Sequence, residues 1–227
     1  MKKPSVGIVA IIAILAIFSE FVVPMVMSSA AQSQMRKVTK SDNLTVSLKS
    51  FPGLLMLTGL VNNVEIKAKE AYLGDVRSND IEMQGKHVRV NVERLFRGNG
   101  FRIDAAERID FKGDVTAKAL EELINTKVKN VEAESVEVTP ENVKVKAKAT
   151  LLGKDLKIDF EGNILHDGNK LFLRAKNVSV KGVSVRDRIA TRIFGDVVLY
   201  DFDRLKFPVR LQSVEHQAGK MHLTFTN

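Results

Sequence analysis

Four histidines, His87, His166, His216 and His222, are the residues best suited to move a proton or hold a metal ion. A metal needs several such ligands converging on one point. Only Glu215-His216 and His222 come near that, and their place in a C-terminal hairpin reads as exposed hairpin histidines. The glycine-bearing turn Arg97-Gly98-Asn99-Gly100 has neither the strand–loop–helix context nor the Lys-Ser/Thr of a phosphate loop. No Gly-x-Ser-x-Gly occurs. The absence of cysteine removes disulfides, zinc-thiolate sites, thiol nucleophiles and a lipidated cysteine. Carboxylates are plentiful, but they alternate with lysines, as on a solvated strand face. No catalytic residue, metal site or cofactor is assigned, so the reading is of a protein that is not an enzyme.

Lys and Arg number 35 against 27 Asp and Glu, a formal charge of +8 spread along 227 residues. That excess permits contact with anionic lipid or other polyanions without forming a basic block. There is no Trp and aromatics make up 6%. Binding single-stranded nucleic acid calls for stacking aromatics among basic residues, so that class is set aside.

The elements that would position a binding surface begin after a hydrophobic N-terminus. Lys2 and Lys3 precede an apolar segment, Val6 to Met27, broken only by Ser19-Glu20 and Pro24. Its length suits a bilayer-spanning helix, and the lysines place the N-terminus in the cytoplasm and the rest outside. A signal anchor and a cleaved signal peptide ending near Ser28-Ser29-Ala30-Ala31 both remain open. The expected organisation is residues 1–30 as anchor or signal peptide and 31–227 as one extracytoplasmic domain, tethered to the cell membrane by a single pass. Residues 28–42 could continue the helix as a juxtamembrane stalk.

Period-two alternation then dominates. It appears at Leu44–Leu48, Val64–Ala68, Ile81–Val92, Phe101–Ile103 and Ile109–Val115, with 74–80 as a loop and Leu54–Leu60 as a turn of helix. Thr116 is placed to cap a helix whose Leu120, Leu123 and Ile124 share one face. A three-strand meander follows. Val143 to Leu151 and Leu156 to Ile164 alternate with charged residues, and Leu171 to Ala175 resume after the His166–Asn169 turn. The apolar parity switches at Val178 and Val180, which predicts a bulge near Lys176-Asn177. Val185, Ile189, Ile193 and Phe194 suggest a second helix over 185–200, with Arg186, Arg188 and Arg192 exposed. A hairpin turning at Ala218-Gly219-Lys220 ends the chain. About nine strands and two helices without βαβ alternation give an α+β class: a long curved antiparallel sheet wrapped around amphipathic helices.

Four stretches in this order are similar to a known family: SFPGLLMLTGLVNNVEI (50–66), DFKGDVTAKALEELI (110–124), ENVKVKAKATLLGKDLKIDFEG (141–162) and FPVRLQSVEHQAGKMHLTF (207–225). Behind an N-terminal hydrophobic segment they resemble the LmeA-like family of phospholipid-binding bacterial envelope proteins. The resemblance implies a fold similar to the tubular lipid-binding superfamily, with an apolar groove for acyl chains. The candidate groove residues are Leu55, Val64, Ile66, Leu120, Leu123, Ile124, Val145, Ile158, Phe160, Leu171, Leu173, Ile189 and Ile193. Arg186, Arg188 and Arg192 are candidates for the headgroup rim. The implied partner is a phospholipid or similar amphiphile. The alternative is a non-enzymatic envelope scaffold whose interior is filled by its own side chains.

Overall fold

The computed structural model describes residues 6–128, 131–151, 154–180, 183–186, 196–205 and 207–227. The class is α+β, mostly antiparallel sheet with a few helices. The first element is one 34-residue helix, α1 (Val6–Thr39), which continues through Pro24. Met27, Ala31, Met35 and Thr39 stand four apart and are all buried, so they form one stripe along the helix. The stripe packs on β1 (Asn43–Lys49) and on a 3₁₀ turn, Gly53–Thr58. Ser28 Oγ accepts the Leu48 amide at 2.9 Å. The second half of α1 is therefore a domain element, where the sequence suggested a stalk. Among the described residues no helix is long and apolar enough to cross a membrane.

The strands divide into two sheets, where one long sheet was expected. The first holds β1, β2 (Leu60–Lys69), β3 (Ala71–Leu73), β4 (Val76–Val90), β5 (Ile103–Thr116), β12 (Arg210–Gln217) and β13 (Lys220–Thr226). Its order is β1-β2-β4-β5-β13-β12, with β3 paired to β4. The second holds β6 (Val131–Val138), β7 (Val143–Leu151), β8 (Lys154–Asp167), β9 (Lys170–Val180), β10 (Val183–Arg186) and β11 (Asp196–Asp201). Its order is β10-β9-β8-β7-β6, with β11 also on β9. Every strand pairing among the described residues is antiparallel.

Several local expectations change. Residues 76–80 belong to β4, because Gly74-Asp75 alone make the turn that pairs Leu73 with Val76. Gly74 has φ +65°, and a Cβ there would meet the Tyr200 hydroxyl at 1.7 Å. The two strands expected over 101–115 are the single β5. Val92 opens a short helix, α2 (Val92–Phe96), where the alternation suggested strand, because Asn91 Oδ1 caps it by accepting the Arg94 amide. The helix expected over 185–200 is replaced at both described ends by strands β10 and β11; its centre lies outside the described residues. An edge of β9 with free backbone groups rewards extended chain on either side more than a solvated helix turn would be rewarded.

The helix α3 (Ala117–Lys127) forms as expected. Thr116 Oγ1 accepts the Ala119 amide at 3.3 Å, and Ala119, Leu120, Leu123 and Ile124 are buried. It packs against β6 and β11 of one sheet and β4 and β5 of the other. One apolar core joins α1, α3 and both sheets. Burying side chains such as Leu120 and Leu123 contributes about 1.5–3 kcal/mol each relative to exposure.

Candidate functional site

The inner face of the second sheet is built by cross-strand rungs. Val145 stands opposite Phe160, which stands opposite Val178. Ala147, Ile158 and Val180 form the next rung, and Val143, Gly162 and Ala175 the rung on the other side. The register slips between Glu161 and Gly162, leaving Lys176 as an extra residue in β9. This is the bulge that the parity switch predicted. It keeps Leu171, Leu173, Ala175, Val178 and Val180 on one face despite their spacing. Gly162 is part of the same device. A Cβ there would lie 2.2 Å from the Arg174 carbonyl oxygen and 2.8 Å from the Phe160 ring. The glycine lets the ring lie along the sheet.

This face carries two apolar groups. Val145, Leu171 and Leu173 belong to the main core together with Val64, Ile66, Leu120, Leu123 and Ile124. Ile158, Ala175 and Val178 form a separate buried cluster, with Val131, Phe160 and Val180 packed at its margin. Phe160 is half-buried and touches both groups. Leu55 stands apart from all of these. It lies on the Gly53–Thr58 turn and is 38% exposed. Arg186 pairs with Asn177 in strand β10 and so is not on a helix. Ile189, Ile193, Arg188 and Arg192 lie outside the described residues. The structure thus brings together eight of the candidates in one core, sets Ile158 and Phe160 at its far end, and places Leu55 on another surface.

A second site was not legible in the sequence. A cavity of about 970 Å³ is lined by Gln32 and Arg36 of α1, by Lys67 and Lys69 of β2, and by Asp80, Glu82, Lys112, Asp114, Lys220 and His222, among others. Of these lining residues Asp114 is 6% exposed. It accepts from Lys220 Nζ at 2.5 Å and from His222 Nδ1 at 2.7 Å. Burial alone would push the Asp114 carboxyl up, but the hydrogen bonds and charge of Lys220 and His222 outweigh it and hold the carboxyl below its ordinary value. The same contact raises Lys220. His222 and His216 are half-buried, where exposed hairpin histidines were expected. Burial first, and then the charge of Lys176, hold His216 below the ordinary imidazole value, and its Nε2 accepts the Ile164 amide at 3.3 Å. His222 faces Glu215 on one side and Asp114 on the other in the strand register. Among the described residues no group of three or more His, Cys, Asp or Glu could hold a metal ion.

The architecture is an antiparallel α+β fold whose second sheet has a mainly aliphatic inner face. A family model described as LmeA-like phospholipid-binding matches residues 19–226, nearly the whole chain. The protein belongs to that LmeA-like phospholipid-binding family. No curated protein and no solved structure gives a significant match.

Proposed function

We propose that this chain is an extracytoplasmic, membrane-tethered protein that holds the acyl chains of a phospholipid and handles or transfers envelope lipid without catalysing a reaction. The observation that carries the reading is the family, which is phospholipid-binding and covers both sheets. The far end of the second sheet supports it with an apolar cluster separate from the main core: Ile158, Phe160, Ala175, Val178 and Val180, aliphatic apart from one ring. Each methylene removed from water there contributes about 0.8 kcal/mol, so a flexible chain gains affinity without a specific polar contact. The Val6–Phe18 run after Lys2-Lys3 supports the tether, with the N-terminus in the cytoplasm. Basic residues of the 186–192 stretch are proposed to meet an anionic headgroup.

The test uses the full chain in vesicles that contain a phospholipid with a photoreactive group at the end of one acyl chain. Cross-links mapped by mass spectrometry are expected on peptides carrying Ile158–Phe160 and Ala175–Val180. Cross-links confined to α1 would overturn the reading. One observation favours the scaffold alternative: Val64, Ile66, Leu120, Leu123, Ile124, Val145, Leu171 and Leu173 are all buried in one self-filled core. The same cross-linking result separates the two, because a filled core takes no label at Ile158–Phe160.

A further inference from the structure

Large exposed apolar side chains cluster at one end of the molecule. Phe51 is 79% exposed, Leu54 and Leu57 are each 52% exposed, and on α1 Phe21 and Met25 are 72% and 62% exposed. Five such side chains close together are unusual for a surface that faces only water. They are neighbours because the Gly53–Thr58 turn packs directly on α1. The Gly53 amide donates to both Glu20 carboxylate oxygens, at 3.0 and 2.9 Å. A Cβ on Gly53 would lie 2.6 Å from the Ser19 carbonyl oxygen, so glycine permits the close approach. Glu20, the one charge inside the apolar N-terminal segment, is therefore the bolt that fixes this turn to the helix.

We propose that Phe51, Leu54 and Leu57, with Phe21 and Met25, form an apolar collar immersed in the bilayer leaflet that faces the domain. The occupant is lipid, for three reasons on the molecule itself. The collar is continuous along α1 with the apolar run Val6–Phe18, whose Ile17 and Phe18 are each 61% exposed. From Val6 to Ser19 that helix rises only about 21 Å at 1.5 Å per residue, short of a hydrocarbon core about 30 Å thick. Sinking the collar supplies the missing apolar depth. Exposed cations also border it. Lys49, Lys86 and Arg89 lie in register with Asn63 and Leu60, immediately after the turn. That places positive charge at headgroup level beneath an apolar tip, where anionic lipid attracts it. Leu55, on the same turn, belongs to this surface.

The inference rests on the tether proposed above and adds a second, independent contact with the bilayer. It gives the domain a fixed height and orientation at the leaflet, which the span alone does not set. The chain contains no Trp, so one introduced Trp is a clean reporter. The test reconstitutes full-length L54W, L57W and V198W in vesicles of phosphatidylcholine and phosphatidylglycerol. Val198 is the control, an equally exposed apolar side chain on β11 of the other sheet. For L54W and L57W a blue-shifted emission is expected, with several-fold stronger quenching by brominated phospholipid than for V198W, and protection from aqueous iodide. Equal quenching of all three by iodide, with circular dichroism matching the parent, would overturn the collar. Acyl-chain cross-links at Ile158–Phe160 are scored on the same preparations. If they persist while the L54W signal stays aqueous, the collar fails and the lipid-binding reading stands. If they are absent while L54W is buried in lipid, the collar stands and that reading fails.

Discussion

The two sheets carry the same alternation but fill their inner faces differently. The seven-stranded sheet uses bulk. Phe111 and Phe225 of this sheet meet edge to face at 5.1 Å. Phe225 also meets Phe202 at 4.9 Å, and Phe202 meets Tyr200 at 4.9 Å, so the cluster reaches across to β11 of the other sheet and the turn after it. Met83, Ile109, Met221 and Leu223 complete that packing, each almost wholly buried. The six-stranded sheet gives Ile164, Leu171, Leu173, Leu199 and Tyr200 to the shared core, but at its far end it uses smaller residues, Ala147, Ala175, Val145 and Val178. Interiors are close-packed, and small side chains cannot fill a wide face from one side. The core shared by both sheets therefore specifies its own interior. The separate cluster around Ile158, Ala175 and Val178 presents a thinner aliphatic lining, the quality that the proposed acyl-chain ligand would use.

The largest effect expected on this comparison comes from removing what joins the halves. Leu123 is 2% exposed on α3, between strands of both sheets. Leu123→Asp places a carboxylate among apolar side chains and should cost about 3–5 kcal/mol or more. Thermal denaturation should show loss of both sheets together. A variant that melts as the parent does would mean that α3 does not face the core.

A narrower experiment sets one sheet against the other. Phe225→Ala should cost about 3–5 kcal/mol through a cavity in the aromatic cluster, with no direct effect on lipid uptake. Ile158→Trp should do the reverse. It overfills the far end of the thin sheet at a cost of about 1–3 kcal/mol, while reducing uptake of fluorescent phospholipid by more than that loss explains. Equal losses of stability and unchanged uptake would erase the distinction between the sheets.

The smallest effect concerns Asp114. Burial works to raise its carboxyl, but Lys220 and His222 hold it below its ordinary value in the folded state. A carboxylate so depressed contributes stability that is present above its unfolded pKa and is lost as pH falls through the folded one. Asp114→Asn should therefore cost about 1–2 kcal/mol at neutral pH and flatten the loss of stability on acidification below about pH 4. Chemical denaturation across that range checks both signs. A parallel shift at every pH would mean that the carboxylate acts through packing and not through charge.

The elements read correctly from sequence were those whose cause is local. Thr116 caps α3 because a hydroxyl reaches an amide three residues on. The β7–β9 meander follows from alternation and short turns. The Lys176 bulge showed itself because a two-residue period cannot change parity within a strand without an extra residue. The helix expected over 185–200 rested on spacing alone. Val197 and Tyr200 take strand geometry because β9 offers them an edge, pairing them with Leu173 and Leu171.

The sequence by itself determined an α+β chain of alternating strands with one capped helix, an aliphatic meander and family membership, because periodicity, capping and motif order are properties of neighbouring residues. Tertiary structure alone decided three things: the split into two sheets, the burial of Asp114 against a histidine 108 positions later, and the seating of the Gly53 turn on Glu20. Each depends on which distant strand or helix a residue meets. That choice is set by register and close approach across the fold, and no local pattern encodes it.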